Sequence, residues 1–403
     1  MAIYKAGVLG AGLMGSGIAQ AITFAGLPVV LRDVNDALVQ KGLANIRKIY
    51  EGRVKKGKMS QEEVEAKMGL VTGSTSDADF ADCDIVIEAI PEEMELKRKG
   101  FAAMDAACPE HAILVSNTSS LSISAIAAST KRPDKVAGLH FFYPAPVMKL
   151  VEVIPGLQTS QETVDALVSF TESIRKLPVR VKECPGFLVN RLLMPYLNEA
   201  AFCLQEGAAS AKEIDAAAVA WGWPMGPFTL ADELGLDICA HVGNILLEGY
   251  GPRMRPAPII GSLFEKKMFG RKSGAGFYTY DDRPDPAAGV LAGFQRETKI
   301  IGAAFSMERL MYAMVNEAAF ALEENVASPS DIDLAMVAGT GFPMAKEGLL
   351  RWADSVGLDR ILGSLDVWKR TAGERFWPAA LLRRMVGAGM TGKSARKGFF
   401  EYA

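Results

Sequence analysis

The sequence is poor in the residues that mark several classes of protein. Its five cysteines are scattered, odd in number and never spaced as C-x-x-C, which predicts reduced thiols, a cytoplasmic location and no metal site. Only three of the 403 residues are histidines. The 44 basic and 47 acidic side chains nearly cancel, so no overall basic field favours nucleic acid as a partner.

Long apolar runs are also missing. The longest uncharged segments, 112–130 and 216–231, are interrupted by Ser, Thr, Gly or Pro, so no membrane span is expected. The first strand is expected to begin at Ile3, with no cleavable leader before it. What is present is an average composition, 49% apolar and 23% charged, which is typical of a folded chain of two to three domains.

The first half alternates short apolar runs with helix-like segments. A helix is expected over Ser16–Phe24, ended by Gly26, and further helix over Asp36–Met68. The expected strands contain the apolar runs at 6–9, 27–31, 85–90, 112–115 and 136–142. Such alternation predicts a parallel sheet covered on both faces, that is, a doubly wound α/β domain of the Rossmann type over residues 1–183.

The second half is rich in Ala and Leu and repeats itself. The segment "RLLMPYLNEAAFCLQEGAASAKEID" from Arg191 returns as "RLMYAMVNEAAFALEENVASPSDID" from Arg309, 118 residues later. Two long copies predict a duplicated all-α domain rather than a solenoid, which needs shorter units in larger number. We expect the copies at 184–283 and 297–403, with "DDRPDPAA" (281–288) as the linker between them.

A glycine-rich turn follows the first expected strand. Gly10-Ala11-Gly12-Leu13-Met14-Gly15 fits G-x-G-x-x-G, in which the glycines permit a tight turn, a close approach to a pyrophosphate and close packing of helix on strand. Asp33 ends the next strand, where a carboxylate binds ribose hydroxyls and repels a 2′-phosphate, so NAD is favoured over NADP. The neighbouring Arg32 could bind a 2′-phosphate, which would favour NADP. The alternative to a dinucleotide site is an ordinary strand–helix turn with a surface Asp.

One of the three histidines is placed for chemistry. His111 is expected in a surface loop and His241 on a helix, whereas His140 ends an expected strand, where ligands bind in open α/β sheets. A turn through 144–147 could bring Glu152 to the imidazole, fix its tautomer and stabilise its charged form. The alternatives are a buried core histidine for His140 and a surface carboxylate for Glu152.

Five segments follow one another along the chain: "GVLGAGLMGSGIA", "IVIEAIPEEMELK", "SNTSSLSI", "GLHFFYPAPVMKLVEVI" and "CPGFLVNRLL". Taken in this order, they resemble the 3-hydroxyacyl-CoA dehydrogenase family. The two helical copies resemble the dehydrogenase part of multifunctional fatty-acid oxidation enzymes. The resemblance implies the NAD-binding fold followed by two helical domains, with NAD as cofactor and an acyl-CoA as substrate.

The resemblance also implies roles for individual residues. His140 matches the catalytic base, Glu152 its carboxylate partner, Ser119 and Asn190 the groups that hold the substrate oxygen. The cofactor contacts are implied at Gly10, Gly12, Leu13, Met14, Gly15, Asp33, Ile90, Pro91, Glu92, Lys97, Ser119, Tyr143 and Lys272. Tyr143 is a departure, because the simplest family members have Asn in "HFFNP". Taken alone, Ser119 would be read as a helix N-cap and Asn190 as a surface residue.

Two further expectations concern the substrate tail and the second copy. Lys55 and Lys56 lie in a basic stretch that could bind the phosphates of coenzyme A, or simply form a solvated helix face. Glu308 stands where the first copy has Asn190, which predicts that only the first copy contributes to the active site.

The function expected is the reversible NAD-dependent oxidation of (S)-3-hydroxyacyl-CoA to 3-ketoacyl-CoA. The alternatives are a non-catalytic dinucleotide-binding subunit of an acyl-CoA pathway complex and a relative acting on a free hydroxy acid. No nucleic acid and no membrane is expected as a partner. The duplication favours a monomer in which the two copies pair within one chain, with a homodimer as the alternative.

Overall fold

The computed structural model describes residues 2–281, 286–294 and 305–403. The chain forms two compact units, Met1–Glu183 and Cys184–Ala403. The first unit is an α/β domain and the second is built from helices.

Eight strands form one sheet in the first unit, in the order β3-β2-β1-β4-β5-β6-β7-β8. The strands are β1 Ala6–Leu9, β2 Val29–Arg32, β3 Val71–Ser74, β4 Ile85–Glu88, β5 Ile113–Ser116, β6 Val136–Phe141, β7 Leu150–Pro155 and β8 Leu177–Arg180. The helices between them are α1 Leu13–Ala25, α2 Asp36–Lys55, α3 Gln61–Met68, α4 Met94–Ala107, α5 Ile123–Ala127 and α6 Gln161–Ser173. The strand order reverses direction next to β1, as in a doubly wound fold.

The expected parallel sheet is correct from β3 to β6 and wrong at β7. That strand runs antiparallel to β6, with His140 paired to Glu152 in the register, and β8 is parallel to β7. A short connection of eight residues, 142–149, makes this reversal, since a parallel partner would need a longer crossover.

Successive strand residues point into two separate cores. Val8, Ile87 and Val115 pack in one apolar cluster, while their neighbours Leu9, Val86 and Leu114 pack in the other. Because helices cover both faces, the strands are continuously apolar rather than alternating. The carboxyl ends of β1, β2, β4, β5 and β6 therefore meet at one edge of a rigid sheet.

The second unit contains the same succession of helices twice. The first set is α7 Val189–Gln205, α8 Ala211–Trp221, α9 Pro227–Leu234, α10 Leu236–Tyr250 and α11 Pro258–Glu265. The second set is α13 Met307–Glu323, α14 Pro329–Thr340, α15 Leu349–Val356, α16 Leu358–Ala372 and α17 Ala380–Gly387. Between them, α12 (Pro286–Phe294) contains the last residues of the expected linker. Residues 282–285 of that linker, and the expected domain limits at 283 and 297, lie outside the described residues.

The long helices α7 and α13 pack against each other through reciprocal ion pairs. Arg191 of α7 reaches Glu317 at 2.7 Å, and the equivalent Arg309 of α13 reaches Glu199 at 2.6 Å. All four side chains are at least 95% buried. Equivalent further pairs complete the network, between Arg191 and Glu324, Arg309 and Glu206, Arg253 and Glu317, and Arg375 and both Glu199 and Glu206.

Across the residues that the structure describes, we find no helix whose length and apolar character would let it cross a bilayer.

Candidate active site

The glycine turn between β1 and α1 has the geometry of a dinucleotide-binding loop. Gly10 has φ +105°, which favours glycine. A Cβ on Gly15 would lie 1.8 Å from the Gly10 carbonyl oxygen, so the helix can approach the strand only without a side chain. Around Gly12 no atom lies within 4 Å of such a Cβ, so the backbone there is open to a ligand. Leu13 is exposed and Met14 is half-buried beside it.

Asp33 follows β2 and lies against this turn. Its carboxylate accepts hydrogen bonds from the backbone amides of Ala11, at 2.7 Å, and Val34, at 2.6 Å. The neighbouring Arg32 forms an ion pair with Asp77 at 2.9 Å. The acidic group thus stands at the nucleotide turn, whereas the adjacent guanidinium is already engaged by a carboxylate.

His140 and Glu152 lie together inside the first unit. Nδ1 of His140 is 2.7 Å from Oε2 of Glu152, and the two side chains are 8% and 1% exposed. The β6–β7 register places them directly opposite each other, and the Phe142 ring packs against the imidazole with centroids 4.5 Å apart. A neutral imidazole that donates from Nδ1 to a carboxylate carries its lone pair on Nε2, so the arrangement suits a general base.

A hydrogen bond between strand ends supports His140. The amide of Phe141 donates to the side-chain oxygen of Asn117, which follows β5, at 2.9 Å. The peptide next to the imidazole is thereby tied to the neighbouring strand. Asn117 was not among the residues expected at the site, although it stands in the quoted segment "SNTSS".

A buried ionic cluster joins the ends of β4 and β5. Glu88 is fully buried and accepts from Lys97 Nζ and the Ile90 amide, both at 2.7 Å, and from Ser116 Oγ at 2.6 Å. Lys97 is 1% exposed and also pairs with Glu92 at 3.2 Å. Glu88 was not expected at the site, because it lies inside the apolar run 85–90 that predicted a strand. Of the expected cofactor contacts, Ile90 is half-buried and Pro91 exposed, whereas Lys97 faces inward.

Ser119 is held by the same cluster. Glu92 accepts from Thr118 Oγ1 at 2.6 Å, from the Ser119 amide at 3.0 Å and from Ser119 Oγ at 3.3 Å. Burial opposes ionisation of Glu92, but the Lys97 ammonium and these donors outweigh it and lower the pKa of the carboxyl. The helix N-cap of α5 is Ser122, so the capping alternative for Ser119 is wrong.

Basic residues surround a cleft in the first unit, which we call the basic cleft. Seven lysines and arginines line it, among them Lys48, Arg53, Lys56, Lys58, Lys149 and Arg175, and no Asp or Glu is among its described lining residues. Arg53 and Arg175 both lie over the Phe24 ring, at 4.5 and 5.3 Å from its centroid. Lys56 lines the cleft, whereas Lys55 is exposed on the last turn of α2 and is not among those lining residues.

The remaining expected residues lie in the connection after β6 and in the second unit. Tyr143 is 67% exposed in the loop 142–149. Asn190 is half-buried in the first turn of α7. Lys272 is paired with Asp237 at 2.6 Å. Glu308, the counterpart of Asn190, lies in the first turn of α13 near Arg360, at 3.6 Å.

Neither a metal cluster nor a disulfide is seen among the described residues. No group of three His, Cys, Asp or Glu side chains is arranged to hold a metal there. Four of the cysteines are buried, and burial raises the pKa of the Cys83 thiol to about 12 and that of the Cys108 thiol to about 11. These thiols are therefore protonated and unreactive near neutral pH.

Comparison with protein-family models finds two matches that together cover most of the chain. Residues 5–184 match the 3-hydroxyacyl-CoA dehydrogenase NAD binding domain. Residues 186–280 and 305–402 each match the C-terminal domain of the same family. The second match thus occurs once in each helical copy.

Individual relatives agree with these matches. The chain is 37% identical to a peroxisomal fatty acid beta-oxidation multifunctional protein of Arabidopsis thaliana, over 96% of this chain and 55% of the relative. It therefore spans about half the length of the curated relatives it matches. A solved 3-hydroxybutyryl-CoA dehydrogenase from Escherichia coli K12 is 31% identical, with a TM-score of 0.87 over 96% of this chain and 99% of that one. An (S)-3-hydroxybutyryl-CoA dehydrogenase from Ralstonia eutropha is 43% identical, with a TM-score of 0.68 over 70% of this chain and 100% of that one.

Proposed function

Because the chain belongs to the 3-hydroxyacyl-CoA dehydrogenase family, we propose that it catalyses the reversible NAD-dependent oxidation of (S)-3-hydroxyacyl-CoA to 3-ketoacyl-CoA. The observation that carries the proposal is the buried pair of His140 and Glu152, 2.7 Å apart at the edge of the sheet where the glycine turn also lies. A base, its acidic partner and a dinucleotide turn on one rigid sheet suit hydride transfer from an alcohol.

In this mechanism the chain moves and holds protons. Nε2 of His140 removes the proton of the C3 hydroxyl, and Glu152 stabilises the imidazolium that forms. When bound, NAD supplies the hydride acceptor. The open backbone at Gly12 and the carboxylate of Asp33 would hold the pyrophosphate and the ribose hydroxyls. Glu92 orients Ser119, for which the family resemblance implies a contact with the substrate oxygen. The resemblance implies the same role for Asn190.

The basic cleft supports a coenzyme A thioester rather than a free hydroxy acid. The nucleotide end of coenzyme A carries several phosphate charges, and seven cations without a nearby carboxylate in the lining would attract them. We propose Lys56 as a phosphate contact, with Lys55 as a weaker one at the edge. Replacement of Lys56 should raise KM for the thioester and leave kcat unchanged, because the other six cations of the cleft still hold the phosphates when the substrate is saturating.

A spectrophotometric assay tests the proposed reaction. With NADH, the protein should reduce acetoacetyl-CoA and longer 3-ketoacyl-CoA substrates, and it should act poorly on free acetoacetate and with NADPH. Failure to oxidise NADH at every acyl length would favour the non-catalytic binding subunit. Faster turnover of acetoacetate than of its thioester would favour the free hydroxy acid.

We propose three domains for the chain, 1–183, 184–283 and 297–403, the last with a structural role. The reciprocal ion pairs between α7 and α13 support a monomer, since each copy already has its partner within the chain. Light scattering at micromolar concentration should give about the monomer mass, and a stable dimer would contradict this. We also keep a cytoplasmic location as a proposal, although one relative is named peroxisomal. Its test is fractionation of the source cells.

A further inference from the structure

The loop 142–149 connects the two strands that carry the catalytic pair. It also packs on the nucleotide-binding helix, because a Cβ on Gly17 of α1 would lie 3.3 Å from Ala145 Cβ and 3.2 Å from Pro146 Cδ. The same loop carries Tyr143, which is expected to contact the cofactor. A shift of this loop would therefore reach both the His140 strand and the wall of the nucleotide site.

The ammonium group of Lys176 also holds this loop. Nζ of Lys176, between α6 and β8, donates to the carbonyl oxygens of Ala145 at 2.6 Å and of Met148 at 2.7 Å. Lys176 is 6% exposed, so the two bonds are largely shielded from water. An ammonium has three donors, and these two carbonyls use two of them.

Lys176 also lines the basic cleft. Lys149 and Arg175 stand beside it, and Lys48, Arg53, Lys56 and Lys58 line the same cleft from the α2 side. Burial, with a further contribution from the Lys149 ammonium, lowers the pKa of Lys176 to about 8. An anion in the cleft would raise the pKa of Lys176 again. It could also accept the third hydrogen of the Lys176 ammonium.

We propose that Lys176 is a positioning residue that couples an anion in the basic cleft to the loop 142–149. The inference rests on the proposed function, because the anion is identified as the phosphate groups of the coenzyme A nucleotide. When they bind, they accept the third hydrogen of Nζ, and the ammonium group held in this way keeps the carbonyls of Ala145 and Met148 in place. Binding energy from the remote end of the substrate is thereby used to order the reacting end.

The test separates the substrate into its two ends. Acetoacetyl-pantetheine, which lacks the nucleotide, is reduced with NADH in the presence and absence of adenosine 3′,5′-bisphosphate. For the wild type, the added bisphosphate should raise kcat by a factor of up to about 10², the rate cost of a displacement of about 1 Å at a reacting group. In Lys176→Met this activation should vanish, and kcat for acetoacetyl-CoA should fall by the same factor. Lys176→Arg should restore part of it.

Two measurements keep the outcome independent of folding and of turnover. Lys135, whose Nζ also donates to a backbone carbonyl, that of Glu110 at 2.8 Å, provides the matched control, and Lys135→Met should behave as the wild type. Hydrogen exchange should show that the bisphosphate protects residues 142–149 in the wild type and not in Lys176→Met, while calorimetry shows that it still binds the variant.

Equal activation of wild type and Lys176→Met, or no protection of the loop in either protein, would overturn the proposed coupling. If neither thioester is reduced but the bisphosphate still protects the loop through Lys176, the proposed reaction fails and the coupling stands.

Discussion

The carboxylate of Glu152 determines which proton the His140 ring can carry. It is buried and lies 2.7 Å from Nδ1, so it fixes the tautomer and would stabilise the imidazolium formed during oxidation. Without that charge, the ring could turn or hold the wrong proton. The proposed chemistry therefore depends on the short distance between His140 Nδ1 and Glu152 Oε2.

Glu152→Gln should leave NADH binding unchanged and lower kcat by a factor on the order of 10² to 10⁴, the range of general acid–base contributions. The reason is that an amide is nearly isosteric but cannot stabilise the charged imidazole. Steady-state kinetics with acetoacetyl-CoA measures the effect, and Glu65→Gln, at an exposed pair with Arg47, is the control. Activity within a factor of two of the wild type would show that Glu152 has no such role.

At this scale the sequence suggested the His140–Glu152 contact but not its surroundings. A separation of 12 positions that includes a Pro-containing turn is compatible with two opposed strands, so the contact could be predicted. Glu88 and Asn117 could not, because their partners, Lys97 and the Phe141 amide, come from other elements of the chain. Contacts between side chains on different elements leave no periodic signal in the sequence.

The strand ends of the first unit form the element that carries the site. Gly10, Asp33, Glu88 and Asn117 follow or end four different strands, and His140 lies one residue before the end of a fifth. Their positions are set by the sheet, which is rigid because both of its faces are packed. In the glycine turn after β1, one glycine is required for packing within the fold and another for space at the ligand. Substitutions there can therefore distinguish an effect on folding from an effect on ligand binding.

Two alanine substitutions in the turn should have different effects. Gly15→Ala should lower thermal stability, because its Cβ would meet the Gly10 carbonyl oxygen at 1.8 Å. Gly12→Ala should leave the melting temperature nearly unchanged, since the space there is empty, and should weaken NADH binding. Thermal melts and NADH titration distinguish the two. Wild-type NADH affinity in Gly12→Ala would contradict the assignment of this turn to the pyrophosphate.

Most strands of the sheet could be predicted, and three were missed for identifiable reasons. β3 contains "VTGS", whose Gly and Ser weaken the apolar signal. β7 contains Glu152 in an otherwise apolar run, and this carboxylate interrupts the apolar pattern that would have predicted the strand. β8 contains Pro178 near its start, which reads as a break rather than as strand. Because β7 was not expected, its antiparallel direction was not expected either. The short loop before it is the feature of the sequence that indicates this direction.

At the scale of the whole molecule, the two helical copies form an interface with each other within one chain. Arg191 and Arg309, 118 residues apart, each reach across to the carboxylates of the other copy. Burial is compensated because each guanidinium has more than one acidic partner. The repeat could be recognised directly in the sequence. The ion pairs between the two copies could not be predicted, because the constant spacing of the repeat does not show which copy a side chain contacts.

Removal of one member of the network should destabilise the second unit. Arg309→Met leaves Glu199 and Glu206 buried with fewer cations, and it should lower the free energy of unfolding by about 3–5 kcal/mol. The five tryptophans all lie beyond residue 220, so their fluorescence in urea follows this unit alone. Lys397→Met, at an exposed pair with Glu401, should not change the midpoint. An unchanged midpoint in Arg309→Met would show that the network adds no stability.

The most direct measurement of the central claim compares His140→Gln with the wild type in one cuvette assay. NADH binding is first titrated, and the oxidation of NADH by acetoacetyl-CoA is then followed at saturating concentrations of both. We predict that NADH binds both proteins equally, while turnover by the variant falls by at least about 10²-fold, because its amide cannot donate a proton to the C3 oxygen as the keto group is reduced. A variant that binds NADH and retains most of the wild-type rate would contradict the account.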